Sequence, residues 1–403
     1  MDFDDLVVGS GLAALGAVLG LCRHGGRRVG VLCGPAQGHF EYYDALRTVP
    51  CAFLGAGGLG SHWHGVIPTG RRQRLPGATH AAFLSMFRHF YPHADIATRM
   101  GQPGQFVPWR PIRPMPEFQR LARSAKPAGL HLLPETATAL GFGSAGATVA
   151  TARGRHSAHR VWLAAGALHT PALLAQSFAA DVVRGQLSDH VFCYVGQLQG
   201  DAGPRVQIGR DGIFLQGWAA AGGDTQALYT LRPAMFAFRR LDHGIEQRAV
   251  FGLPTGHLMA KLVRRLSPGL LVEAVYNRFG MPATADRHSV YAQVHVRDAY
   301  ASAHNTQPLQ ALGAHIRRAT DAARAAQPFA GLRPSQRPEL ALPGIHLHHS
   351  LDTAVLARLG IDQPGSPLQV VDASTLADIG PEHHSFEMMV SACERAAAAG
   401  AGP

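Results

Sequence analysis

The opening of the chain has a hydrophobic pattern typical of a buried strand, a tight turn and a helix. Residues 6–8 are all apolar, as in strands that are buried on both faces of a parallel sheet. After the glycine-bearing turn at residues 9–14, residues 12–22 are almost all apolar and end before a Gly-Gly pair, which predicts a helix. A second apolar run at residues 28–32 predicts another strand, so the pattern indicates a βαβ unit.

The rest of the chain alternates strand and turn signals with a few helical segments. Four apolar runs separated by glycine-bearing breaks predict a β-meander that returns to the parallel sheet, at residues 130–133, 136–140, 148–152 and 160–163. Residues 80–125 combine aromatic residues with prolines, which predicts a helix followed by an extended loop. Alternation over residues 290–296 predicts an amphipathic strand, and residues 308–326 and 386–399 predict helices.

Length and composition bound the class of protein. The chain has 403 residues, of which 46% are hydrophobic and 16% charged, so it supplies an ample core and is not disordered overall. This length suits two domains, or one large domain with an inserted second one. The formal net charge is +10, but the basic residues are scattered along the chain and are all arginines except Lys126 and Lys261. We therefore expect no nucleic-acid partner.

The cysteines and the apolar N-terminal segment indicate in which cellular compartment the protein is expected. Five widely spaced cysteines occur, namely Cys22, Cys33, Cys51, Cys193 and Cys393. Their odd number and the lack of a CxxC pair predict neither a disulfide framework nor a zinc site. The apolar residues 6–21 follow three aspartates and are interrupted by glycines, which fits neither a signal peptide nor a membrane helix. We expect a cytoplasmic protein without an integral membrane segment.

The turn after the first predicted strand has the spacing of a dinucleotide-binding loop. Gly9 permits the tight turn, Gly11 lets backbone N–H groups approach a pyrophosphate at the helix N-terminus, and small Ala14 allows close helix packing. A glycine-rich turn without a ligand is the alternative. At the end of the second strand, Cys33 stands where an acidic residue that binds a ribose hydroxyl is expected.

Four segments of the chain together resemble one family. They are residues 9–14, residues 55–63 (GAGGLGSHW), residues 163–174 (LAAGALHTPALL) with 187–190 (LSDH), and residues 368–374 (LQVVDAS) with 382–384 (EHH). In this order and spacing the chain resembles the glucose–methanol–choline (GMC) flavoprotein oxidoreductases. The likeness covers roughly the first 75 residues and residues 130–190 and 340–403.

The resemblance implies an α/β fold in which a Rossmann-like FAD-binding domain is joined to a second, α+β substrate domain built on an antiparallel sheet. It places the FAD-binding domain at residues 1–190, with residues 80–125 as a lid or attachment segment. The substrate domain follows at residues 191–340. Residues 341–403 return to the FAD-binding domain and carry a catalytic histidine pair.

The resemblance also assigns residues that bind FAD. These are Gly9, Gly11, Leu12, Ala13, Cys33, Gly57, Gly58, Ser61, His62, Trp63, Ala165, Gly166, Asp372, Ala373 and His384. The loop through Trp63 looks most like that of the pyranose oxidases, in which a histidine at the position of His62 is covalently attached to FAD. An unattached His62 that only contacts the flavin is the equal alternative.

The catalytic residues are expected among C-terminal histidines. Oxidation of an alcohol by hydride transfer leaves a proton on oxygen, and a group with a pKa near ~6.5 is suited to remove it. The resemblance places His349 as the general base and His383 as the hydrogen-bonding partner of the substrate oxygen. A shift of one residue would put His348 or His384 in these positions instead.

Two features around the first histidine leave alternatives. Asp352 stands where the family has glycine. One interpretation is that its carboxylate raises the basicity of a neighbouring histidine, as carboxylate partners do. The other is that it marks a remodelled loop with different chemistry. His346 and His348 share one face of an alternating strand, but no carboxylate or cysteine completes a set of metal ligands. We therefore expect no metal.

The function that the resemblance implies is oxidation of a CH–OH group in a small hydroxylated molecule, such as a sugar, a polyol or a natural-product intermediate. Hydride would pass from the substrate to flavin N5. The sequence does not indicate whether oxygen, a quinone or a protein then accepts the electrons. A flavoprotein that catalyses a non-oxidative lyase or isomerase step is the alternative. A binding protein with a vestigial site is a third alternative, and the retention of both candidate histidines argues against it.

Overall fold

The computed structural model describes most of the chain. The described residues are 2–42, 50–63, 65–70, 75–124, 129–199, 206–222, 225–233, 287–300, 321, 332–334, 341–342, 347–382 and 384–400. The helix predicted over residues 308–326 lies outside them except for residue 321, and so do His346 and the predicted catalytic residue His383.

Six helices and nineteen strands are described. The helices are α1 (Leu12–Leu21), α2 (His80–Phe90), α3 (Pro114–Ser124), α4 (His169–Ser177), α5 (Thr353–Arg358) and α6 (Ser385–Gly400). The first ten strands are β1 (Asp2–Val8), β2 (Val29–Leu32), β3 (His39–Tyr42), β4 (Pro50–Leu54), β5 (Ile67–Pro68), β6 (Gly104–Pro108), β7 (Leu130–Leu133), β8 (Ala137–Gly143), β9 (Gly146–Thr151) and β10 (Gly154–Leu163). The others are β11 (Val183–Gln199), β12 (Val206–Ile208), β13 (Gly212–Gly222), β14 (Thr225–Pro233), β15 (Arg287–Tyr300), β16 (Leu332–Pro334), β17 (Ala341–Leu342), β18 (His348–Leu351) and β19 (Leu368–Val370).

The predicted βαβ unit forms the centre of a parallel sheet. The strand order is β7-β2-β1-β10, and β19 lies parallel to β10 on its other side. Val8 is in register with both Leu32 and Leu163, and Leu163 is in register with Val370. The carboxyl ends of these strands therefore share one edge of the sheet, where ligands of open α/β folds bind.

The predicted meander is shorter than expected. Strands β8, β9 and β10 form it, but β7 pairs in parallel with β2 and does not belong to it. Helix α3 precedes β7, and a helical crossover is the connection that delivers a strand parallel to its neighbour. The prediction that residues 130–133 belong to the meander is therefore wrong, although their strand is confirmed.

Close packing of two helices covers one face of the parallel sheet. A Cβ atom on Gly16 of α1 would lie 2.0 Å from the carbonyl oxygen of Met389, and one on Gly20 would lie 2.1 Å from that of Cys393. Helix α6 therefore lies against the backbone of α1, which brings the last helix beside the first dinucleotide turn. The opposite face is covered by α4 and α5, so the sheet is the middle of three layers.

An antiparallel sheet forms the second part of the molecule. Its order is β16-β11-β15-β14-β13-β6-β5, and the short strands β17 and β18 also pair with β11. Strand β6 comes from the segment predicted to be a lid, and β11 runs unbroken across residue 190. The predicted fold class, a Rossmann-like α/β core with an antiparallel second domain, is confirmed. The domain boundaries stay a prediction.

In the part of the chain described here, no helix has the length and apolar character to cross a membrane.

Candidate active site

A cavity of about 450 Å³ lies at the carboxyl edge of the parallel sheet. It is lined by the glycine turn after β1, the end of β2 and Glu135. Residues 51–55 in and after β4, most of the turn from Gly58 to Trp63 and residues 164–168 also line it. His348 and His384 belong to the same lining. This volume is within the range of sites that bind small molecules.

Gly9 and Gly11 have different reasons to be glycine. Gly9 has a φ of +111°, and a Cβ atom there would lie 2.2 Å from the carbonyl oxygen of Ala164, so the turn itself requires glycine. Gly11 has an ordinary φ of −77°, and a Cβ atom would meet no atom nearer than 4.0 Å. The absence of a side chain at Gly11 therefore serves the cavity rather than the fold.

The N-terminus of α1 opens into the cavity without a side-chain cap. The first N–H groups of a helix have no intrahelical acceptor, and the helix dipole adds partial positive charge there. Gly11, Leu12 and Ala13 all line this end. The arrangement can therefore bind an anionic group such as a pyrophosphate.

Ser10 links three segments that meet at this turn. Its hydroxyl donates to the carbonyl oxygen of Cys33 over 2.9 Å and accepts from the backbone N–H of Gly57 over 2.8 Å. It therefore holds the end of β2 and the second glycine loop against the dinucleotide turn. Sequence reasoning missed this residue because its partners lie 23 and 47 positions away.

The second glycine loop is placed beside the first. Gly57 and Gly58 have positive φ values of +89° and +52°, and Gly58, His62 and Trp63 line the cavity. Ser61 is turned to the loop itself, where its hydroxyl donates to the carbonyl oxygen of Ala56 over 3.1 Å. Gly57 and Ser61 do not contribute to the cavity wall in the described structure.

Two aromatic residues of the β3–β4 hairpin hold His62. The imidazole centroid lies 4.9 Å from the ring of Phe40 and 4.8 Å from that of Phe53. His62 is therefore a fixed part of the cavity wall, and its covalent attachment to a flavin stays a prediction. Next to it, the indole N–H of Trp63 is buried and has no acceptor among the described residues.

The turn after β10 is tied to the C-terminal part of the chain by Asp372. One carboxylate oxygen accepts from the N–H of Gly166 over 2.9 Å and from the hydroxyl of Thr170 over 2.5 Å. The other accepts from the N–H of Ser374 over 3.0 Å and from its hydroxyl over 2.6 Å. Four protein donors therefore occupy this carboxylate, which positions the turn. Ala165, Gly166 and Ala373 line the cavity beside it.

His348 lines the cavity and is held at both ring nitrogens. Its Nε2 lies 2.8 Å from the carbonyl oxygen of Ala373, and its Nδ1 lies 3.2 Å from the hydroxyl of Ser188. A carbonyl can only accept, so Nε2 carries the proton and Nδ1 is the basic nitrogen of the neutral ring. Burial lowers the pKa of His348, against a smaller rise from its bond to Ala373.

The other histidines of the predicted pair lie as follows. His349, the predicted base, is buried, donates its backbone N–H to Ala167 over 3.2 Å and does not line the cavity. His384 lines the cavity, with Nε2 hydrogen-bonded to the carbonyl oxygen of Ile379. His383 is outside the described residues. The structure thus brings His348 and His384, the alternatives one residue away, to the cavity, and the roles of all four stay predictions.

Asp352 begins a helix in the segment that departs from the family pattern. Its carboxylate accepts from the N–H groups of Ala354 and Val355, over 2.8 Å and 3.2 Å, and so caps the short helix α5. The segment is therefore remodelled as a helix instead of a glycine-rich loop. Within the described residues, no group of three histidine, cysteine, aspartate or glutamate side chains could hold a metal ion.

Two further polar groups of the cavity wall, Glu135 and His169, were not predicted. Glu135 lies beside the end of β2, and His169 pairs with Glu41 of β3 behind the wall, with 2.6 Å between His169 Nε2 and Glu41 Oε2. The hydrogen bond from His169 lowers the pKa of Glu41. No sequence signal marks these residues, because the partner of each lies far along the chain.

Comparison with known protein families finds no match, and comparison with curated proteins finds none either. Among solved structures, pyridoxine 4-oxidase from Mesorbium loti is 13% identical, with a TM-score of 0.52 over 98% of this chain and 99% of that one. CtdE in complex with FAD is 12% identical, with a TM-score of 0.42 over 100% and 84% of the two chains. NikD, an unusual amino acid oxidase essential for nikkomycin biosynthesis, is 12% identical, with a TM-score of 0.40 over 98% and 94%. The first of these likenesses shows the fold that the two chains share, and GMC membership stays a prediction.

Proposed function

We propose that this protein is an FAD-dependent oxidoreductase that oxidises a CH–OH group of a small hydroxylated molecule. One observation carries the proposal: a single cavity is lined both by the dinucleotide turn and by His348 and His384. The dinucleotide turn can bind the diphosphate of a nucleotide cofactor, and the histidines can accept a proton. Oxidation of an alcohol by a flavin needs both functions.

The cavity wall fits FAD where the cofactor would approach the backbone. Side chains are absent at Gly11 and at Gly166, which has a φ of +98° and no atom within 4 Å of an added Cβ. The uncapped start of α1 offers N–H donors to the pyrophosphate. The buried indole N–H of Trp63 has no acceptor among the described residues, so it is a donor that a ligand can satisfy. When bound there, FAD supplies the group that accepts a hydride.

His348 is the base that we propose. Its Nε2–H is fixed on the carbonyl oxygen of Ala373, so the proton of the alcohol goes to Nδ1. The single lone pair of Nδ1 accepts from the hydroxyl of Ser188 in the neutral ring, so the alcohol takes the place of this hydroxyl when it gives its proton to Nδ1, and Ser188 Oγ then accepts from the charged ring. Strand β18 pairs with β11 in a register that places Ser188 opposite His348.

His384 lines the same cavity as His348. It directly precedes α6, and its bond to Ile379 orders the loop that leads into that helix. We propose that His384 holds the substrate oxygen toward His348. His349 and His383 are the competing assignments, each one residue away.

The substrate class is a small alcohol. The name of pyridoxine 4-oxidase describes an oxidase of pyridoxine, so pyridoxine belongs among the alcohols to be tested together with sugars and polyols. The electron acceptor is also to be identified by trial, with oxygen and a quinone as the first two candidates.

Anaerobic mixing with a panel of alcohols tests the proposal. Loss of the ~450 nm flavin band with one of them supports net oxidation. Turnover of a substrate while the band persists at every time point supports the lyase or isomerase alternative. A flavin that no alcohol bleaches but that dithionite reduces contradicts the alcohol assignment.

Acid precipitation separates the two roles of His62. A yellow supernatant means dissociable FAD, and a yellow pellet means a covalent link. In the second case His62→Ala releases the flavin, while Phe40→Leu, which changes a ring that packs on His62 but does not line the cavity, leaves it attached.

A further inference from the structure

The end of β2 lacks the carboxylate that dinucleotide-binding folds use for ribose. Cys33 occupies this position, is buried, and directs its thiol toward the carbonyl oxygen of Val31 over 3.5 Å. Burial raises its pKa to about 11, so the thiol stays protonated at neutral pH. It therefore offers no anionic acceptor to a pair of sugar hydroxyls.

A carboxylate from another strand lies beside this position. Strand β7 runs parallel to β2, and beyond their last pair the N–H of Gly34 donates to the carbonyl oxygen of Glu135 over 3.0 Å. The two chain segments therefore leave the sheet side by side. Cys33, Gly34 and Glu135 all line the cavity, and the hydrogen bond between Gly34 and Glu135 keeps them adjacent.

The carboxylate of Glu135 is oriented by two donors on one oxygen. Its Oε2 lies 2.6 Å from the hydroxyl of Thr151 and 3.0 Å from Nε2 of His156. No donor to Oε1 is found among the described residues. The hydrogen bonds from Thr151 and then His156 lower the pKa of Glu135, so the group is ionised at neutral pH.

We infer that Glu135 replaces the missing acidic residue and binds the ribose hydroxyls of the adenosine half of FAD through Oε1. This inference rests on the proposed function, because it assumes that the cavity holds FAD. It assigns a binding role to a residue that follows β7, where the dinucleotide-binding pattern does not require one. Thr151 and His156 are then positioning residues that hold the acceptor in place.

Binding of FAD and FMN to flavin-free protein tests the inference, with quenching of flavin fluorescence as the readout. FMN lacks the adenosine half of FAD, so its affinity measures only the contacts that the protein makes with the rest of the cofactor. We expect Glu135→Ala to weaken FAD binding by roughly ten- to a hundredfold, the range for a lost hydrogen bond to a charged group, and to leave FMN binding unchanged. Glu117→Ala is the matched control, since that carboxylate lies on α3 outside the cavity.

Competition against FAD by ADP and by 2′,3′-dideoxy-ADP isolates the sugar hydroxyls. Wild-type protein is expected to prefer ADP, and Glu135→Ala is expected to bind both about equally. If Glu135→Ala does not fold, Thr151→Val makes the same test, because it removes one of the two donors that orient the carboxylate. If the flavin is covalently held, the titrations use a His62→Ala background.

The outcomes separate this inference from the proposed function. Equal losses of FAD and FMN binding, or a wild-type protein that does not distinguish the two ADP analogues, would overturn the role of Glu135 while FAD binding stands. A wild-type protein that binds neither flavin would overturn the proposed function, and this inference with it.

Discussion

Two glycines of the first turn separate the requirements of folding from those of binding. A side chain at Gly9 collides with backbone at Ala164 and needs a positive φ, so Gly9→Ala strains the turn itself. A methyl group at Gly11 enters open space and an ordinary backbone conformation.

We therefore expect Gly11→Ala to keep the melting temperature of the flavin-free protein and to weaken FAD binding, by about tenfold or more if the methyl keeps the pyrophosphate from the N–H groups. Gly9→Ala is expected to lower the melting temperature itself. Thermal unfolding without flavin and fluorescence titration with FAD measure the two effects. A Gly11→Ala protein that melts early but binds FAD normally when folded would contradict this division.

The pKa of His348 predicts how flavin reduction depends on pH. Burial lowers that pKa from its ordinary value of 6.5, so the ring stays neutral and able to accept a proton somewhat below this pH. As the pH falls, the imidazole of His348 is protonated at a higher pH in the unfolded chain than in the folded protein. The contribution of neutral His348 to stability is therefore complete above pH ~6.5 and decreases below it. The rate of reduction is accordingly expected to hold to below pH 6.5 and then to fall.

His348→Asn is expected to slow anaerobic flavin reduction by on the order of 10²–10⁴ and to remove the acid limb of the pH profile. His349→Asn is the matched comparison, since His349 is the buried neighbour outside the cavity wall. Stopped-flow absorbance across the pH range decides between them. If His349→Asn causes the loss and His348→Asn does not, the base is His349, as the family resemblance implies.

At the scale of elements, the contact between α1 and α6 makes the site possible. It rests on Gly16 and Gly20, where any side chain would collide with the backbone of α6. This contact delivers His384, which directly precedes α6, to the cavity that begins at the N-terminus of α1.

We expect Gly16→Ala to lower the free energy of unfolding by about 1–3 kcal/mol, as overpacking of a well-packed interface does. Gly25→Ala is the control: no atom lies within 4 Å of an added Cβ there, and its φ is not positive, so its effect is expected to stay within about 0.5 kcal/mol. Urea unfolding at constant pH measures both. Equal effects of the two changes would show that the close approach of α1 and α6 contributes nothing to stability.

The elements that sequence reasoning predicted well are those with local signals. The first strand, the first helix, the strand at residues 290–296 and the last helix are confirmed, because apolar runs and glycines mark them directly. The parallel pairing of β7 was missed because it depends on the crossover through α3. Of the site, the glycine positions were predictable, whereas Ser10 and Glu135 depend on partners from distant segments.

On the scale of the whole molecule, elements tied to both sheets line the same cavity. Strand β18 pairs with β11 of the antiparallel sheet and carries His348 to a cavity that begins at the parallel sheet. Asp378, in the loop before α6, pairs with His295 of β15 at 2.6 Å between Oδ1 and Nε2, so the antiparallel sheet also holds the loop that bears Ile379. The cavity wall is therefore complete only when both sheets are in place.

The absorption spectrum of the purified, folded protein, taken before and after incubation with FAD and removal of free flavin, tests the central claim most directly. The account predicts a protein-bound flavin band near ~450 nm at about one flavin per chain, and a weaker band when Gly11 is replaced by alanine. A folded wild-type protein that remains colourless after incubation with FAD would contradict it.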